Sequence, residues 1–331
     1  MTKDEMIEQI WTLEVKHPRM KEILQGIDDC HHSYFRKGEK VNMFITGDTG
    51  LGKTTICNNY LARFQRDKDE KGKIIPVLYT SMPGSPTPKG LTTQMLNDIQ
   101  CPAAFKGVFI NQKIRLKELA RDLRIQLWIL DELQNVIDPD SDTILNAVSN
   151  LLKEFINILQ IPIIMVGLPE SLAVLTSNRQ LARRVSQHEE LTEFMWEDVN
   201  QRKQFRSLLK TIDGRLPLNR SSQLATVDLA KRIHFASDGV MDHFMKLIRH
   251  SAEIAVKKDM DCIDMPLLSY VYDKHISKLF DNKFNPFAEE NLNRQLKVSP
   301  KKAETTAQKS TSNRIKPRRK KETPGEVLTT K

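Results

Sequence analysis

Eight consecutive residues, Gly47-Asp48-Thr49-Gly50-Leu51-Gly52-Lys53-Thr54, carry the spacing G-x-x-x-x-G-K-[ST] at every required position. The chemistry this serves is phosphate binding. Glycines let successive backbone N–H groups turn inward around phosphate oxygens where a side chain would block the approach. Lys53 can reach the β- and γ-phosphates of a nucleoside triphosphate, and the Thr54 hydroxyl can ligate Mg²⁺. Positioning these groups takes a strand before the loop and a helix after it. The apolar run at residues 41–46 supplies the first, and Thr55 opens a helical pattern through Leu61. A helix start also adds the positive end of its dipole to the site.

A second stretch has complementary chemistry. Leu127-Trp128-Ile129-Leu130 reads as a buried strand, and it ends in Asp131-Glu132. A strand adjacent to the phosphate loop would place Asp131 beside Thr54 and Mg²⁺. Glu132 would then sit where an attacking water must lose a proton. Alone, two carboxylates after a strand are commonly a solvated turn. Paired with the loop about 80 residues upstream they predict ATP hydrolysis, with ATP and Mg²⁺ as the bound groups.

Around these motifs, short β-rich runs at 41–46, 74–79, 125–130 and 161–166 alternate with helical patterns, and 191–195 is a candidate fifth strand. Such alternation predicts a parallel five-stranded sheet sandwiched by helices. A helical region follows from 196 to 280. Residues 1–40 read as one or two helices, one of them starting at His17-Pro18. The expected division is a helical segment at 1–40, a nucleotide-binding αβα domain at 41–195, a small helical lid at 196–280 and a disordered tail from 281.

This order of strand, phosphate loop, carboxylate strand, further strand and helical lid resembles that of AAA+ P-loop NTPases. In that architecture a neighbouring subunit inserts an arginine at the γ-phosphate. Arg184, with Arg183 close behind, lies after the fourth strand where such a residue is expected.

Composition narrows the setting. The net charge is +9, but residues 297–331 hold 11 Lys/Arg against 3 Asp/Glu, so the preceding chain is nearly neutral. No apolar run is long enough to span a bilayer, and no secretory leader follows Met1, so a cytoplasmic protein is expected. The four cysteines are widely spaced and read as reduced thiols. Cys30-His31-His32 looks like a metal fragment, but no second ligand pair follows at a useful spacing.

At a finer level the chain resembles the TniB/TnsC family of transposition ATPases. The resemblance is carried by 43–47 with Gly52-Lys53-Thr54-Thr55, by Ile75-Pro76-Val77-Leu78-Tyr79, and by Asp131-Glu132-Leu133-Gln134. Val166-Gly167-Leu168-Pro169, Leu181-Ala182-Arg183-Arg184-Val185 and Gly239-Val240-Met241-Asp242 complete it. It covers about residues 15–280. It implies a bacterial, ATP-dependent homo-oligomer that binds duplex DNA and passes a signal from a TniQ-type target selector to transposase subunits. It assigns Lys53 and Thr54 to phosphate and Mg²⁺, Asp131 to Mg²⁺, Glu132 to water activation and Arg184 to the neighbouring site.

Two positions depart from the wider AAA+ pattern. Leu168 stands where a polar sensor residue is common. The lid has Gly239-Val240-Met241-Asp242-His243 where an arginine is common, with Lys246 the first cation. Slow hydrolysis is the expectation. For DNA, the resemblance points to loops after the second strand: Lys89 in one, and Lys106, followed by Lys113 and Arg115, in the other. Phosphate contacts from such cations supply sequence-independent affinity. The basic tail segment at 314–321 could add to it or dock a partner protein. A helicase loader or replication initiator keeps the same fold, and a scaffold switched by ATP with little hydrolysis is a third reading.

Overall fold

The computed structural model describes residues 1–70, 72–138, 142–280, 283–294 and 296. Five strands form one parallel sheet: β1 (Asn42–Gly47), β4 (Val77–Ser81), β5 (Leu127–Asp131), β6 (Ile163–Gly167) and β7 (Val185–Leu191). Their order is β4-β5-β6-β1-β7. A small antiparallel hairpin, β2 (Asp67–Asp69) with β3 (Gly72–Ile74), stands apart from the sheet.

The strands β1, β5 and β6 are buried throughout, as their near-continuous apolar runs demand. Alternate side chains feed two cores. Met43, Ile45, Ile129, Ile164 and Val166 pack with α2 (Pro18–His32) and α3 (Lys53–Leu61) through Ile23, Ile27, Cys57 and Tyr60. Phe44, Trp128, Leu130, Ile163 and Met165 face the other way, onto α4 (Pro88–Asp98), α5 (Phe109–Asp122) and α6 (Thr143–Leu159). Each such fully buried side chain contributes roughly 1.5–3 kcal/mol relative to exposure. Two short helices, α7 (Ala173–Thr176) and α8 (Arg179–Ala182), connect β6 to β7.

A third core belongs to the lid, built from α9 (Val199–Asp213), α10 (Val227–Ser237), α11 (Met241–Lys257) and α12 (Met265–Val271). The N-terminal helix α1 (Lys3–Thr12) packs here through Ile10, and Trp11 Nε1 donates to Glu253 Oε2 at 2.9 Å. The first 40 residues are therefore shared between two cores. Helix α1 joins the lid, α2 joins the sheet, and residues 13–17 cross between them.

Four expectations need correction. The fifth strand runs over Val185–Leu191, not 191–195. Its exposed residues alternate with half-buried ones, Gln187 and Glu189 among them, because it is a sheet edge paired only to β1, so it lacks the apolar run used to find strands. The second strand begins at Val77, and the apolar Ile74 belongs partly to the hairpin. The strand carrying Asp131 is not next to the phosphate-loop strand, because β6 lies between β5 and β1. Finally, 283–294 is not a free tail. Arg232 donates to Pro286 O at 2.7 Å and Leu292 O at 2.6 Å, and Phe287 is buried in the lid core. The basic segment 314–321 lies outside the described residues.

Candidate nucleotide-binding site

The loop between β1 and α3 presents the phosphate-binding residues. Gly50 has φ +81, and a Cβ there would stand 3.1 Å from Asp242 Cβ and 3.2 Å from Val240 Cγ1. Glycine is thus required twice at this point, for the left-handed turn and for the close approach of the lid. The lid is tied to the loop by Asp242 N–H, which donates to Gly50 O at 2.9 Å. Lys53 opens α3, and its Nζ donates to Gly47 O at 2.6 Å and Asp48 O at 2.9 Å. Burial pulls the lysine's pKa down, while Asp131, Glu132, Asp48 and Glu170 oppose that shift.

The carboxylates come from the far side of β6. Thr54 Oγ1 donates to Asp131 Oδ2 at 3.0 Å. The contact forms because the start of α3 reaches across the end of the intervening strand. Tyr79 OH donates to the same oxygen at 2.8 Å, and Glu132 N–H donates to Asp131 Oδ1 at 2.8 Å. Burial pushes the Tyr79 phenol well above its ordinary range and the Asp131 charge adds to this, so Tyr79 stays a donor. The buried Asp131 is fixed by three donors from three elements. Glu132 adopts the left-handed conformation, φ 60 and ψ 37, and its carboxylate accepts from Gln134 Nε2. The pair Thr54 and Asp131 is a set of hard oxygen donors suited to Mg²⁺.

A cavity of 360 Å³ opens from this point. Thr49, Gly50, Leu51, Gly52, Lys53, Thr54 and Thr55 line its phosphate end with Glu132, Gln134 and Leu168. Its other end is made by Val15 and His17 from the crossing segment, by Met20 from α2 and by Met241 and Met245 from the lid. His17 is buried with Nδ1 lacking a partner, and burial pulls its pKa down to about 4. Arg249 also lines the cavity; its Nη2 donates to Leu13 O at 2.8 Å and its Nε is buried without a partner.

The structure brings Lys53, Thr54, Asp131 and Glu132 together. Arg183 and Arg184 do not line this cavity. Arg183 is exposed and Arg184 half-buried just after α8, and among the described residues neither side chain has an ion-pair partner. Lys89 and Lys106 are exposed, but of the four cations expected on loops only Lys106 is on one: Lys89 lies in the first turn of α4, capped by Thr87, and Lys113 and Arg115 lie on α5. Lys113 and Arg115 are committed within the protein. Lys113 Nζ meets Glu154 Oε1 at 2.6 Å, and Arg115 Nη1 donates to Ala103 O at 2.7 Å and Lys106 O at 3.1 Å. The residues of Cys30-His31-His32 face different partners, with His31 bonded to Tyr60 OH and Gln126 Oε1 and His32 to Asp28 O.

The sequence pattern does not assign Arg249 and His17 to the cavity or Tyr79 to Asp131. Arg249 was findable, since Asp242, Met245 and Arg249 recur at helical spacing from the lid turn. Tyr79 was not, because nothing in one sequence says which strand lies beside β5.

A five-stranded parallel sheet in this order, a phosphate loop after β1 and a helical lid over it define an AAA+ P-loop NTPase fold. Solved structures agree. The Aeropyrum pernix ORC2 protein (ADPNP-ADP complexes) matches with TM-score 0.55 and 12% identity over 80% of this chain and 71% of that one. The Aeropyrum pernix ORC1 protein in complex with DNA matches at 0.55 and 15%, over 79% and 66%. CDC6P from Pyrobaculum aerophilum matches at 0.58 and 16%, over 80% and 68%. The profile of the bacterial TniB protein matches residues 9–196, and the chain belongs to that family. No curated protein matches it in sequence. Among the described residues, no helix is long and apolar enough to cross a membrane.

Proposed function

We propose that this protein is an ATP-hydrolysing regulator of DNA transposition that assembles on duplex DNA. It links a TniQ-type target selector to transposase subunits and is reset by hydrolysis. The observation that carries the ATPase reading is the meeting of Thr54 with Asp131 at 3.0 Å beside Glu132, at the phosphate end of one cavity. Lys53, Thr54, Thr55 and the backbone of 47–52 would hold the triphosphate. Thr54 and Asp131 would hold Mg²⁺, which supplies charge neutralisation on the phosphate oxygens. Glu132 orients and deprotonates the attacking water.

The transposition reading is supported by membership of the TniB family. A replication-type role is supported only by fold likeness to the ORC and CDC6P structures, which at 12–16% identity speaks to fold and not to task. DNA contact falls to Lys89 and Lys106, the two candidate cations left exposed. Arg184 completes the site of the next protomer in a ring or filament.

The test is steady-state turnover with and without duplex DNA, alongside nucleotide binding. Wild type is expected to turn over faster on DNA. Glu132→Gln should bind ATP but hydrolyse it about 10²–10⁴-fold more slowly. Unchanged turnover in that variant would remove Glu132 from the chemistry.

A further inference from the structure

Leu168 leaves the end of β6 without a side chain able to read a terminal phosphate. The structure puts another group there. Gln134, on the turn after β5, lines the nucleotide cavity together with Glu132 and Leu168. Its Oε1 accepts from Leu168 N–H at 3.3 Å, and its Nε2 donates to a carboxylate oxygen of Glu132. The amide orientation is fixed by these partners. A carboxylate only accepts and a backbone N–H only donates, so Nε2 must face Glu132 and Oε1 must face Leu168.

The contact also joins two sequence segments that looked unrelated. A Cβ on Gly167 would stand 3.2 Å from Gln134 Oε1 and closer still to Ser171 Oγ. Glycine at the end of β6 is what lets the Gln134 amide lie against that strand. Asp131-Glu132-Leu133-Gln134 and Val166-Gly167-Leu168-Pro169 are therefore two halves of one arrangement. Glu132 reaches it from a left-handed backbone, which sets its carboxylate back toward Gln134.

A primary amide carries two N–H donors. One goes to Glu132, and among the described residues the second has no protein partner. We propose that Gln134 replaces the polar sensor that Leu168 lacks: its second N–H reads the terminal phosphate of ATP while its first holds the Glu132 carboxylate beside the attacking water. Gln134 thus ties the presence of the third phosphate to the position of the base. ADP, having no such phosphate, leaves that donor unused. The inference rests on the ATPase reading above and adds the residue by which the site tells ATP from ADP.

The experiment compares affinity for a non-hydrolysable ATP analogue with affinity for ADP, both with Mg²⁺, in the full chain. Gln134→Leu removes both donors. Gln134→Met keeps the length without adding a charge and removes them, and it carries the test if the leucine variant does not fold. Either variant is expected to bind the ATP analogue about tenfold more weakly, with ADP affinity held within roughly twofold. A merely structural role would weaken both nucleotides alike. An unchanged ATP:ADP ratio, or an equal loss of both, overturns the inference while leaving the ATPase reading intact. Wild type that binds neither nucleotide overturns that reading and this inference with it.

Discussion

The nucleotide cavity and the candidate DNA contacts differ in how tightly their residues are bound to one another. At the phosphate end of the cavity, Thr54, Glu132, Gln134 and Leu168 are joined to Asp131 and Tyr79 behind them in an unbroken run of hydrogen bonds. Among the candidate DNA contacts, Lys89 in the first turn of α4 and Lys106 before α5 are exposed single cations, whereas Lys113 and Arg115 on α5 are spent on Glu154 and on backbone carbonyls. Chemistry on one phosphorus atom needs groups fixed to a fraction of an ångström. Attraction to a polyanion needs only charge at the right surface. The first requirement builds a network; the second is met by exposed side chains.

If that contrast holds, single changes at the cavity should have sharp, specific effects. The largest falls on a residue outside the cavity of its own chain. Arg184→Ala is expected to cut DNA-stimulated turnover by about 10³-fold or more with nucleotide binding retained, measured beside Arg183→Ala as the control. Equal, small losses in both would mean that neither completes a site.

Next is the buried His17. Its folded pKa is lowered to about 4 against an ordinary 6.5. The unfolded chain therefore binds more protons between these values, and stability falls as pH drops through that window. At pH 5 the loss from this group is about 2 kcal/mol relative to pH 7. Denaturant melts of wild type and His17→Phe at both pH values should show a shallower acid loss in the variant. Identical losses would place His17 outside the acid response.

Tyr79→Phe removes one of the donors to Asp131 and leaves the ring. Mg²⁺ titrations of nucleotide binding should show a 10–100-fold weaker Mg²⁺ affinity, as for other groups that orient a ligand. No shift would mean that Thr54 and the Glu132 N–H suffice to hold the carboxylate. The smallest effect belongs to the candidate DNA contacts. Lys89→Ala with Lys106→Ala should reduce the salt slope of DNA binding by about 2. A loss of affinity with the slope intact would show that these lysines act through the fold and not on phosphates.

The same contrast explains what could be read from sequence. The phosphate loop and the carboxylate pair were legible because their spacing is dictated by phosphate geometry. The buried strands were legible because a sheet covered on both faces must be apolar. Strand β7 was misplaced because an edge strand owes its pairing to β1 and carries no apolar run. The insertion of β6 between β1 and β5 was invisible, since strand order follows from no local pattern. Tyr79 and Gln134 acquire roles only through that order. The commitment of Lys113 and Arg115 depends on α6 and on the turn before α5, far from either in local sequence signal.

The central claim is that the hydrolytic site is completed between protomers. It is tested most directly by mixing two inactive variants on duplex DNA, Lys53→Ala and Arg184→Ala, and measuring ATP turnover. The first lacks a working phosphate loop but retains its arginine; the second has the reverse. The mixture is expected to hydrolyse ATP at a rate neither variant reaches alone. A mixture as inactive as its components would contradict it.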